Sequence, residues 1–163
     1  MKIFDCTTYY NEDLMLEVRF NMLDKYVDKF IVVEAKYSHS GKKKELNFNL
    51  KNFQKFKNKI IYIIIDQEPD NIIYQNKDTL FEQESEKRSN SIKRINYQRN
   101  KIMEALNEAN DNDYILYSDN DEIPNLENFN FTLNKNKIII FKQKLFYYKF
   151  NLFFDRISWF GTK

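Results

Sequence analysis

"YILYSDNDEIP", residues 114–124, decides how the rest of the chain is read. Tyr114 to Tyr117 form an apolar and aromatic run that passes straight into Asp119, Asp121 and Glu122, and Pro124 closes the segment. A short apolar run bounded by turn residues reads as a strand buried on both faces. Crowded carboxylates at its end call for a cation, a basic partner or water, because like charges at close range disfavour one another. In extended chain, residues i and i+2 point the same way, roughly 6.5 to 7 Å apart, and a bend turns both toward one point. Asp119 and Asp121 therefore suit a hard cation such as Mg²⁺ or Mn²⁺, which takes oxygen ligands and commonly shares them with substrate phosphates. D-x-D alone is a weak motif, and a solvated acidic turn is its bland alternative. Its position directly after a buried strand adds weight to the metal. A calcium loop starting at Asp111 fails, because Ile115 and Leu116 stand where an oxygen ligand and a glycine are required.

The same pattern recurs upstream. "KIFDC" (2–6), "KFIVVEA" (29–35) and "KIIYIIID" (59–66) read as further buried strands. "NEDLMLEVRFNMLDKY" (11–26) places Leu16, Phe20 and Leu23 at helical spacing, with Asn11 as a candidate N-cap. "KNFQKFKN" (51–58) suggests a helical turn. Residues 67–90 are polar and aperiodic and read as a long loop. A helix is predicted over about 91–110, with Ile92, Ile95, Ile102 and Leu106 on one face. "KIIIFKQ" (137–143) and "KLFYYKFNLFF" (144–154) read as two more strands, an antiparallel pair.

Alternating strands and helices imply an α/β fold: a Rossmann-type, mostly parallel sheet with helices on both faces. Ligands of such sheets bind beyond the carboxyl ends of the strands. Those ends fall at Thr7–Glu12, Glu34, Asp66 and Asp119–Glu122, so one cleft edge can collect them all.

Length and composition narrow the function. A chain of 163 residues is read as one domain over 1–163. A net charge of +2 gives no field for nucleic acid. The Lys42–Lys44 run is read as a solvated face rather than a phosphate patch. The single cysteine, Cys6, excludes an internal disulfide and is read as buried and inert. The start carries Asp5 in its first apolar run and no cleavage site, so no signal peptide is read there. "IIYIII" (60–65) is too short to span a bilayer. A cytoplasmic location, peripheral at the membrane, is the expectation.

Side chains beyond the acid loop have two readings each. In "TTYYNE" (7–12), a tyrosine could stack on a nucleobase and threonine hydroxyls could hold phosphate or ribose; a helix cap with a packing aromatic is the alternative. Glu34 could accept from a uracil ring N–H or ribose hydroxyls, or simply pair with a lysine. Arg99, in "YQRN" (97–100), could meet a diphosphate or the loop's own carboxylates, or lie on the surface. His39, the only histidine, has no nucleophile motif around it and is read as a loop residue. No Walker loop, G-x-G-x-x-G or zinc spacing occurs, which argues against ATPase, dehydrogenase and zinc-enzyme readings. A metal-dependent nucleotidyltransferase would usually carry a glycine-rich N-terminal loop, and only Gly41 and Gly161 are present.

Residues 3–48, with "QRN" (98–100) and "SDNDEIP" (118–124), resemble glycosyltransferase family 17, which includes the transferase that adds bisecting N-acetylglucosamine. "VRFNML", "VDKFIVVEA" and "DNDEIP" are the most specific parts, and "KLFYYKFNL" (144–152) and "WFGT" (159–162) are also similar. The resemblance implies a GT-A fold and inverting transfer of a sugar, N-acetylglucosamine or a related one, from a UDP donor to a glycan or lipid-linked saccharide acceptor. It implies Mn²⁺ or Mg²⁺ at Asp119 and Asp121. It places Tyr10 and Glu34 on the nucleotide side, and Arg99 and Asn100 on the helix before the acid loop; Thr8 is a further substrate-binding candidate beside Tyr10. It further implies a segment with a Gly-Trp-His motif beyond "WFGT" that completes the acceptor side. No catalytic base is identified, and Glu122 and Asp155 are the nearest candidates. A truncated, non-catalytic domain that binds nucleotide sugar or glycan is the alternative.

Overall fold

The structure is a computed structural model that describes residues 1–74, 78–134, 136–147 and 152–161. Strand β1 (Ile3–Tyr9) leads into helix α1 (Asp13–Leu23) and strand β2 (Lys29–Ala35). A 3₁₀ helix (Leu50–Phe56) and strand β3 (Ile60–Ile65) follow. Helix α2 (Leu80–Asn100) continues as a 3₁₀ turn (Lys101–Ala105) into strand β4 (Tyr114–Tyr117). Strands β5 (Lys142–Phe146) and β6 (Phe153–Phe160) come last among the described residues.

The first four strands form one parallel sheet in the order β3-β2-β1-β4. Its direction of winding reverses between β1 and β4, the place where open α/β sheets leave a crevice. Register sharpens this. Pairing of β4 with β1 ends at Cys6↔Tyr117, while β1 runs on through Thr8 and Tyr9 against β2. The chain leaving β4 therefore turns beside the edge of β1's last residues that β4 leaves unpaired.

Alternate residues of the strands face opposite sides, as pleating requires. On one side Ile3, Phe30 and Val32 pack with Leu16, Phe20 and Leu23 of α1 and with Phe53 and Phe56. Phe20 is the hub, with ring centroids 4.3 Å from Phe30, 5.4 Å from Phe53 and 5.3 Å from Phe56. On the other side Phe4, Cys6, Ile31 and Val33 pack beneath Ile102 and Tyr97. Helices thus cover both faces of an all-parallel sheet.

Four expectations need correction. Residues 67–90 are not all loop: α2 begins at Leu80, eleven residues before the predicted start. Thr79 and Glu82 form a capping box there, and the buried positions of α2 are Asn90, Arg94 and Gln98. That stripe has helical spacing but is polar, so hydrophobic periodicity does not reveal it. Ile92, predicted on the inner face, is exposed, and the α-helix ends at Asn100 rather than near 110. The C-terminal strands also shift. Residues 137–141 are not strand; β5 spans the join between the two predicted strands and pairs antiparallel with β6. The connection at 148–151 lies outside the described residues. Finally, Glu12 rather than Asn11 precedes α1, and its carboxylate accepts from the N–H groups of Tyr10 and Asn11.

One glycine is dictated by packing. Gly41 has φ of 86°, and a Cβ there would lie 2.5 Å from the Arg94 guanidinium. Arg94 uses that opening to reach Glu68 at 2.7 Å and the His39 carbonyl at 3.2 Å. It thereby ties the loops after β2 and β3 to α2.

Candidate active site

A cleft of about 620 Å³ opens beyond the carboxyl ends of β1, β2 and β4. Thr8 and Tyr10 reach it from the end of β1, Gln98 and Arg99 from α2, and Asp119, Asn120 and Asp121 from the turn after β4. His39 and Lys44, from the connection after β2, also line it. Five of the residues singled out from sequence (Thr8, Tyr10, Arg99, Asp119 and Asp121) are therefore brought together. Asn100 is exposed and does not line the cleft.

Glu34 lies apart from them. It is fully buried, and its carboxylate accepts from the N–H groups of Asn47 and Phe48, the Tyr62 hydroxyl and the Lys44 ammonium. Four donors saturate an acceptor of this kind. Glu34 thus anchors the 44–48 segment to the sheet and has no lone pair turned to the cleft. Burial of Lys44 corrects its reading as part of a solvated run: its side chain is 12% exposed and stands 5.1 Å from the Tyr10 ring centroid. The Tyr10 ring is half exposed, with a cation over one face.

At the acid turn, Glu122 N–H donates to the Asp119 carbonyl at 3.0 Å, closing a turn centred on Asn120 and Asp121. Asp119 accepts from Arg99 at 2.9 Å. Both side chains of that pair are substantially exposed, so it adds little to stability and can exchange for other partners. Arg99 also lies over the Tyr117 ring, 5.6 Å from its centroid. Burial pushes the Tyr117 phenol up to about 12, against the pull of Arg99. Burial likewise pushes the Tyr37 phenol up to about 12, so this cleft residue stays a neutral hydroxyl.

Two buried polar atoms on the cleft have no hydrogen-bond partner among the described residues, the Tyr37 hydroxyl and Asn120 Oδ1. Leaving such atoms unpaired is costly, so both can bond to a polar group, water included, that enters the cleft. Asp119, Asp121 and Glu12 are carboxylates on the lining, yet among the described residues no three His, Cys, Asp or Glu side chains converge into a cage. Asp119 and Asp121 are the lining carboxylates that could hold a hard cation, which would complete its shell elsewhere.

Glu122 and Asp155 lie off the lining. Glu122 binds its own turn at Asp119 N–H and accepts from Trp159 Nε1 of β6. Gly161 sits against it, where a Cβ would come 3.1 Å from the Glu122 carboxyl carbon. Asp155 is exposed on β6. Lys44, Tyr37, His39 and Gln98 were missed as site residues. Only Gln98 carried a signal, through its place beside Arg99.

A parallel α/β sheet with a cleft beyond its strand ends, at the switch point, defines an α/β domain with its ligand crevice where such folds carry it. The chain belongs to glycosyltransferase family 17, which matches over residues 1–162. Glycosyl transfer is the activity this membership implies. No curated protein and no solved structure matches the chain. Among the described residues, no helix is long and apolar enough to cross a membrane.

Proposed function

We propose that the chain transfers a sugar, N-acetylglucosamine or a close relative, from a UDP donor to a hydroxyl of a glycan or lipid-linked saccharide. The observation that carries this reading is the meeting of the Asp119–Asp121 turn, Arg99 and the half-exposed Tyr10 ring in one cleft of a family 17 chain. Tyr10 supplies a stacking face for the base, with the Lys44 ammonium behind it. Thr8 would hold ribose or phosphate, and Arg99 the diphosphate. Asp119 and Asp121 would hold Mn²⁺ or Mg²⁺, which when bound neutralises the charge of the leaving diphosphate. Arg99 can then pass from Asp119 to a phosphate oxygen without losing a charged partner. The reaction is taken as inverting and cytoplasmic, at the membrane periphery where the acceptor is lipid-linked. A GT-A arrangement of the sheet is part of the same reading.

Calorimetric titration with UDP, with and without Mn²⁺, tests it. Mn²⁺ should tighten UDP binding, and Asp121→Ala should weaken the Mn²⁺-dependent binding by about tenfold or more, the scale of 1.4 kcal/mol. Equal UDP–Mn²⁺ affinity in Asp121→Ala would refute the metal assignment. One observation favours a second reading, nucleotide-sugar binding without turnover: Glu122 and Asp155, the nearest candidates for a base, lie off the cleft. Donor binding with no UDP release on any acceptor would be its signature.

A further inference from the structure

Arg19 lies in the middle of α1 with no exposed surface. All five of its N–H donors have acceptors. Nε and one terminal nitrogen form a fork on Asp5 of β1, at 2.8 and 2.7 Å. That terminal nitrogen also donates to the Ser118 hydroxyl at 2.7 Å. The other donates to the backbone carbonyls of Asp119 at 2.9 Å, Glu122 at 3.3 Å and Asn120 at 3.4 Å. Ser118 in turn donates to the Glu122 carbonyl at 2.9 Å.

This arrangement is expensive unless it positions something. A buried ion pair can usually be replaced by apolar side chains at little or no cost in stability. Here three of the acceptors are carbonyls of a turn that has left the sheet, since β4 pairing stops at Tyr117. Drawing those carbonyls inward onto one planar guanidinium leaves the side chains of Asp119, Asn120 and Asp121 to line the cleft. Asp5 balances the charge, so the arginine adds little net positive charge beneath the carboxylates. A lysine cannot reproduce the fork, because it presents three donors from a single point.

We propose that Arg19, held by Asp5, is a positioning residue that shapes the Asp119–Glu122 turn and thereby sets the cleft's affinity for a divalent cation. The cation half rests on the function proposed above; the positioning half does not.

Trp159 provides a direct probe. It is the only tryptophan, and its indole N–H donates to Glu122 within the turn. Two variants are compared with the parent: Arg19→Lys, and the apolar pair Asp5→Leu with Arg19→Met, which keeps the proposal testable if the lysine variant fails to fold. The readouts are far-UV circular dichroism, Trp159 emission, amide hydrogen exchange at residues 119–122, and calorimetry with Mn²⁺ alone. The expected result is native dichroism with shifted Trp159 emission. Exchange in the turn and the Mn²⁺ dissociation constant should each rise by about tenfold, the scale of one lost charge-assisted hydrogen bond. Folded variants with unchanged emission and unchanged exchange at 119–122 overturn the proposal, whatever the Mn²⁺ result. If the parent binds no Mn²⁺ but the variants loosen the turn, positioning stands and the metal reading falls.

Discussion

Lys44 and Glu34 form an ion pair inside the molecule, at the end of β2. Lys44→Met would leave the Glu34 carboxylate buried with three neutral donors and no cation. The expected cost is about 3 kcal/mol in urea unfolding, the scale of breaking a buried pair from one side. A loss below a few tenths would mean that Lys44 is a surface residue after all. Glu34 and Lys44 also show why single residues are hard to read. The carboxylate's donors come from residues 44, 47, 48 and 62, and chain folding alone brings them together. Cys6 is simpler. Its place within a β-strand motif marks it as buried, and the structure leaves it no exposure, with burial pushing the thiol up. A thiol reagent should label nothing in the native protein and one cysteine after denaturation.

Helix α2 carries its start signal in its own sequence. The Thr79 side chain accepts from Glu82 N–H at 3.2 Å and Glu82 reaches back to Thr79. Thr79→Ala should cost about 1 kcal/mol, read as a lower thermal midpoint and faster exchange near residues 81–83. Threonine three residues before a glutamate is a legible capping box, yet the apolar run that should follow it is absent. Leu80 and Phe81 are exposed, and the buried line Asn90, Arg94, Gln98 is polar. Each of those three bonds to a loop or strand of the other layer: Asn90 to Ile73, Arg94 to Glu68, Gln98 to the Val33 carbonyl. Much of what holds the helix is hydrogen bonds and an ion pair to distant segments, which a hydrophobic pattern cannot report. In α1 the same limit hides Arg19, which shares a buried face with Leu16, Phe20 and Leu23.

Across the molecule, stability centres on the aromatic cluster between the sheet and α1. Phe20 is fully buried against Phe30, Phe53 and Phe56. Phe20→Ala should cost about 3–5 kcal/mol in denaturant unfolding, well above the capping loss, because no neighbouring ring can fill its volume. The four strands of the sheet were legible in outline because parallel strands covered on both faces read as continuous apolar runs. The acid turn was legible because D-N-D after such a run is a local pattern. What the chain's order determined by itself was this much: an α/β layering, four strand ends rich in polar groups, and three carboxylates at the last of them. Tertiary structure decided which of those ends meet in the cleft. It turned Glu34 inward onto four donors, moved Lys44 from a charged run to the cleft, and set Arg19 beneath the turn. The physical reason is that strand and helix formation depend on near neighbours, whereas a charged group's role depends on which partners satisfy it once water is gone.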